Sequence, residues 1–104
     1  MRRLVYRRAA IRDLASISDY IDEMSGNIDT GAKVTSRLRN HCKKLAASPI
    51  VLGRARPELA EGLRSVPHES YLIFFAVQPD RVTIVNIIHA ARDTEALFGK
   101  KTTT

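Results

Sequence analysis

The sequence predicts an α+β fold in which two helices cover one face of a four-stranded sheet. Three observations carry that prediction. Residues 71–77, Tyr-Leu-Ile-Phe-Phe-Ala-Val, are an unbroken run of β-forming types. Residues 82–88 are nearly so, and Gln78-Pro79-Asp80-Arg81 between them is turn chemistry, because Pro79 presets φ at the second turn position and Asp80 suits the third. Upstream, apolar residues recur at three- and four-residue steps over two long stretches, which is the helical period.

Taken in order, Leu4-Val5-Tyr6 between arginines reads as a short strand added to the main sheet. From Ala10 to Met24, Ile11, Leu14, Ile17, Ile21 and Met24 form one helical face, and Asp13, Asp19, Asp22 and Glu23 make the remainder acidic. Ser25-Gly26 ends that helix, with Gly26 as a left-handed C-terminal residue. Asn27 or Asp29 caps a second helix that runs to Ala47 and stops before Pro49. Its inner face is Ala32, Thr35, Leu38, Cys42 and Leu45. Its outer face carries Lys33, Arg37, Arg39, Lys43 and Lys44. An acidic helix followed closely by a basic one predicts an antiparallel helical hairpin joined chiefly by apolar packing, since exposed ion pairs contribute only ~0.2–1 kcal/mol each.

Residues 50–61 form a connector, Gly53-Arg54-Ala55-Arg56-Pro57-Glu58-Leu59 at its centre, in which Pro57 opens a single helical turn. Residues 63–66 are a third strand, entering the hairpin through His68-Glu69-Ser70. In the next strand Tyr71, Ile73, Phe75 and Val77 share one face and Leu72, Phe74 and Ala76 the other. A strand apolar on both faces belongs in the sheet interior with both sides covered. The helical hairpin covers one side, so the other is expected to be an apolar surface open to a partner. Residues 94–98 form a last turn with Phe98 as an apolar anchor, and residues 99–104 a flexible tail to the single domain 1–104.

The chain has 104 residues, 44% of them hydrophobic, and a formal net charge of +6. That balance favours an acidic partner, nucleic acid or an acidic protein surface. The single cysteine, Cys42, excludes an internal disulfide and reads as a buried small hydrophobe. With no apolar core of a signal peptide near the start and no membrane-length apolar run, a cytoplasmic protein is expected. His41 and Cys42 are adjacent and so point about 100 degrees apart on a helix. His68 and His89 lack nearby cysteines or paired acids, so no metal is expected. No phosphate-binding glycine loop and no nucleophile elbow is present.

One set of residues around the sheet has the makings of catalysis: Arg64, Glu69, Tyr71, His89 and Arg92. A ribonuclease that uses the RNA 2′-hydroxyl needs a base, an acid and a cation over the phosphate. His89 and Glu69 suit proton exchange, and Arg64 or Arg92 suits phosphate. The competing reading pairs Arg64 and Arg92 with acids such as Asp93 and leaves His89 an ordinary strand residue. Arg54, Arg56 and Arg64 form a second basic set, suited to phosphate or to an acidic surface. It lacks the interleaved aromatics of a single-strand binder.

These segments, in this order, resemble the ParE toxins of the RelE/ParE superfamily. The matching pieces are Ala10-Ile-Arg-Asp-Leu14 with Ile17 and Asp19-Tyr20-Ile21, then Leu45-Ala46 and Pro49, then the Gly53 to Leu59 connector. Gly62-Leu63-Arg64-Ser65-Val66-Pro67, the Tyr71 strand and Ile87-Ile88-His89-Ala-Ala-Arg92-Asp93 follow. The resemblance implies a β-α-α-β-β-β order, a mostly antiparallel sheet, and a toxin of a type II toxin–antitoxin system wrapped by a cognate ParD-like antitoxin. It implies DNA gyrase as target, no catalysis, no cofactor, and operator DNA contacted only through the antitoxin. The RelE branch instead cuts mRNA on the ribosome. Arg64 and His89 match its active residues, but Ala90 and Ala91 follow His89 and the Ile-His-x-x-Arg-Asp ending has the ParE-like form. A ribosome-dependent endonuclease and a non-toxic nucleic-acid-binding adaptor are the alternatives. If gyrase is bound, the expected surface is Arg54, Arg56, Arg64, His89, Arg92, Phe98, Lys100 and Lys101. The antitoxin is expected on Leu14, Ile17, Ile21, Arg37, Leu38 and Lys44.

Overall fold

The computed structural model describes residues 2–91. The elements are β1 (Arg3–Tyr6), α1 (Arg8–Ser25), α2 (Ile28–Ala47), β2 (Arg54–Ala55), β3 (Leu63–His68), β4 (Tyr71–Val77) and β5 (Arg81–His89). The sheet order is β1-β5-β4-β3-β2. β1 runs parallel to β5, and the other neighbours are antiparallel. The class is the expected α+β arrangement, but among the described residues the sheet has five strands rather than four. The extra one, β2, is a two-residue piece of the connector, paired through Arg54 opposite Ser65 and Ala55 opposite Arg64. Two residues carry no alternation to detect, so only pairing with β3 reveals it.

β4 lies at the centre of the sheet, as its two apolar faces require. Ile73 and Phe75 are buried beneath the helices, in one core with Ala10, Leu14, Ile17, Leu38, Cys42 and Leu45. Phe74 points to the opposite face and is also only 2% exposed, which corrects the expectation of a bare apolar surface at that position. On β5 the register slips: Phe74 faces Asn86 while Phe75 faces Ile84, leaving Val85 without an opposite residue. A bulge of this kind resets the pleat. It explains why Val82 and Ile84, two residues apart, share the core with Ile87, which is three further on.

The end of α1 and the start of α2 follow their local chemistry. Gly26 ends α1 at φ 70°, its N–H donating to the Asp22 carbonyl, and Asn27 caps α2 by accepting from the Asp29 N–H at 2.9 Å. The buried stripe of α1 is Ala10, Leu14 and Ile17, with Ile21 half-buried. Ile11 and Met24 were expected there but are 49% and 69% exposed. Ala10 faces inward instead because the stripe 10, 14, 17, 21 keeps closer to one helix face. On α2, Ala32 is exposed and Gly31 takes the inner position. Gly31 is where the helices touch: its N–H donates to Asp22 Oδ1 at 2.8 Å, and a Cβ would meet the Ser18 carbonyl oxygen. Among the described residues no ion pair joins the two helices. Apolar packing and the close approach at Gly31 hold the hairpin. Cys42 is fully buried, and burial pushes its thiol up to about 11, so it serves as core rather than as a nucleophile.

Candidate functional site

The basic connector and the strand it borders divide the Arg54, Arg56 and Arg64 set. Paired residues of antiparallel strands project to one face, so Arg54 shares a face with Ser65, and Arg64 shares the opposite one with Phe75. Arg56 joins Arg54's side: its Nε donates to the buried Ser65 Oγ at 2.8 Å, and its Nη1 lies 3.7 Å from Glu58 Oε2. Arg64 turns back on the connector, donating from Nε to the Leu52 carbonyl at 2.9 Å and from Nη2 to the Gly53 carbonyl at 2.7 Å. Two charge-assisted bonds to backbone fix its position. Beside it opens a groove of about 550 Å³ lined by Arg2, Val51, Ala55, Leu63, Arg64 and Val77.

Three other members of the catalytic set, Glu69, Tyr71 and His89, lie at the other end of the sheet. Tyr71 on β4 stands opposite His89 on β5, their rings edge to face at 5.5 Å. Arg64 is in register with Phe75, four residues from Tyr71 along β4 and so roughly 13 Å away at strand rise. Glu69 occupies the β3–β4 turn with φ 54°. Its carboxylate accepts from Arg37 Nε at 2.7 Å and Nη2 at 3.2 Å. The Arg37 hydrogen bonds hold the Glu69 carboxyl below the usual carboxylate range, and the guanidinium is raised in return. An acid held ionised in this way is poorly placed to donate a proton near neutrality. The structure therefore joins Tyr71 to His89 and leaves Arg64 apart, while Arg92 lies outside the described residues.

Beside Glu69 is a contact that the sequence reading did not contain. The rings of His41 on α2 and His68 on β3 stack at 4.5 Å between centroids, 24° from parallel. Both Nε2 atoms are buried without a hydrogen-bond partner among the described residues. His68 Nε2 comes within 3.4 Å of Glu69 Oε2, close enough for an ionic contact but outside hydrogen-bond geometry. Arg37, Asn40, His41, Lys44 and His68 line a cavity of about 220 Å³ there. Arg37 and His41, one helical turn apart on α2, meet Glu69 of the turn and His68 at the end of β3. Without the β3–β4 register nothing in the sequence connects them.

The family model described as the ParE toxin of the type II toxin–antitoxin system, parDE, matches residues 4–94. The chain belongs to the ParE toxin family. Its fold is similar to that of a solved structure described as the chromosomal ParDE TA system from P. aeruginosa, with 24% identity and a TM-score of 0.72. That likeness covers 86% of this chain and 96% of the other. None of the curated proteins matches the chain.

For a ParE-family chain the surfaces available to partners now matter. Leu14, Ile17 and Leu38, expected at the antitoxin interface, are core residues no more than 5% exposed. They complete the packing between helices and sheet, so they cannot present a surface. Ile21 is half-buried, and Arg37 and Lys44 are exposed on α2. Exposed large apolar side chains occur elsewhere: Ile11, Tyr20, Met24 and Ile28 along the hairpin and at its tip, and Ile50, Val51 and Leu52 in the connector. Of the expected target surface, Arg54 is exposed and Arg56, Arg64 and His89 half-buried. Phe98, Lys100 and Lys101 lie outside the described residues. No helix among the described residues is long and apolar enough to cross a membrane.

Proposed function

We propose that this toxin works by binding rather than by catalysis, that DNA gyrase is its target, and that a ParD-like antitoxin neutralises it in the cytoplasm. The division of the catalytic set carries the non-enzymatic reading. Arg64 is bonded to connector carbonyls and Glu69 to Arg37, at opposite ends of the sheet. Neither is poised to act with the Tyr71–His89 pair on one phosphodiester. Target binding in this reading draws on the basic residues Arg54, Arg56, Arg64 and His89, which lie on more than one face of the sheet, and on Arg92, Phe98, Lys100 and Lys101 outside the described residues, with positive charge steering association with an acidic surface. The antitoxin presents an amphipathic helix with acidic residues toward Arg37 and Lys44 of α2. Operator DNA is reached only through the antitoxin.

Purified gyrase separates the readings. Inhibited supercoiling with a trapped cleavage complex is expected. Unchanged supercoiling together with cut mRNA on translating ribosomes would instead establish the ribonuclease alternative, for which the Tyr71–His89 contact is the best geometric support. Harmless expression with salt-steep DNA binding would establish the adaptor.

A further inference from the structure

We propose that the stacked pair His41–His68 is an acid-sensitive latch, whose protonation releases the β3–β4 turn from α2 while the rest of the fold stands. Two contacts fasten that turn to the helix. One is the stack itself, and the other is the Arg37–Glu69 ion pair one helical turn away. In the neutral state the imidazoles lie in flat contact and tolerate two buried, unpartnered Nε2 atoms. Charging both places like charges in ring contact and gives each Nε2 a proton. The groups facing the pair are mostly cationic, with one acid beside His68. From α2 come the cations Arg37 and Lys44, with neutral Asn40. From the turn comes Glu69, the nearest acceptor among the described residues, whose Oε2 lies 3.4 Å from His68 Nε2 and whose two carboxylate oxygens Arg37 already holds. Across the sheet the next titratable neighbours are Tyr71, opposite His68, and His89, opposite Tyr71.

Burial first, then His68, then Lys44 hold the His41 imidazole below its ordinary value, so the folded state favours neutral His41. Release should be local. Ser70, in the turn, accepts the Ala90 N–H at 2.8 Å, so the end of β5 shares the opening. The Ile87 N–H is held separately by Asp13 of α1.

Amide exchange on the whole chain, followed by NMR and corrected for intrinsic rates, tests the latch. Between about pH 7.5 and about pH 5, a window spanning the ordinary imidazole pKa, protection of residues 68–71 and of Ala90 should fall by roughly tenfold. Ile87 should keep its protection. His41→Gln and His68→Gln should each remove the pH dependence at the turn. Constant protection in the unsubstituted protein overturns the proposal, as does an undiminished pH dependence in both variants. If neither variant folds, the imidazole shifts of the unsubstituted protein decide. Loss of protection must then track His41 or His68, and tracking His89 alone overturns the latch.

Discussion

Asp13 of α1 accepts the backbone N–H of Ile87 on β5 at 2.9 Å, and the same oxygen accepts Asn86 Nδ2 at 3.2 Å. β1 reaches only as far as Ile84 on β5, so beyond that point no strand among the described residues lies beside the sheet edge. A helical carboxylate bonds this stretch of the edge, next to the bulge that brings Ile87 into the core.

Asp13→Ala should therefore destabilise the protein by about 1.5–3 kcal/mol, the range for a hydrogen bond to a charged group. Urea unfolding of the two proteins measures it. A loss below about 0.5 kcal/mol, typical of a neutral surface substitution, would mean the sheet edge is held without Asp13.

Gly31→Ala inverts the usual helix propensity order. Alanine favours a helix interior by about 1 kcal/mol over glycine. Here its methyl meets the Ser18 carbonyl oxygen and Asp22 Oδ1, the latter at 2.6 Å. Overpacking of this kind costs about 1–3 kcal/mol. Thermal melts should show a lower Tm, and a raised Tm would show that the hairpin can spread without loss.

Phe75→Ala, at the centre of the core, should cost about 3–5 kcal/mol, and Phe74→Ala on the opposite face a similar amount if its cover is equally close-packed. Both are almost fully buried. Denaturant midpoints compare them directly. A Phe74 variant within about 1 kcal/mol of the original would show that its cover yields on truncation.

Stability should decline in mild acid. His41 has its folded pKa below its unfolded value, so the unfolded chain binds the proton more readily. Its contribution is complete above about pH 6.5 and is lost as pH falls through the folded value. Glu69 is also lowered, but its contribution disappears only below about pH 4.3, and at this exposed site it is small. Unfolding free energies measured across both windows should fall first in the histidine window, and His41→Gln should flatten that step alone.

Charge reversal tests the antitoxin side. Arg37→Glu is a poor choice by itself because it also breaks the Glu69 contact. Lys44→Glu, exposed and outside that pair, should weaken the complex with a ParD-like antitoxin without lowering the melting temperature. Calorimetric titration measures the affinity, and an unchanged value would place the antitoxin on another surface.

The elements themselves were legible in the sequence because each follows from short-range chemistry. β4 declared itself by seven β-forming residues, its central place by having two apolar faces, and the helix ends by Gly26 and Asn27. Membership of the ParE family was also legible, since it rests on the order of such segments. Tertiary structure alone decided three matters. It added β2, because two residues have no period and acquire an identity only by pairing with Ser65 and Arg64. It separated Arg64 from Tyr71 and His89, because register and pleat determine which side chains share a face and an end. It brought His41 onto His68, and Arg37 onto Glu69, because their proximity depends on how α2 crosses the sheet. Residues 27 and 32 apart in the chain meet only when long-range packing has chosen that crossing.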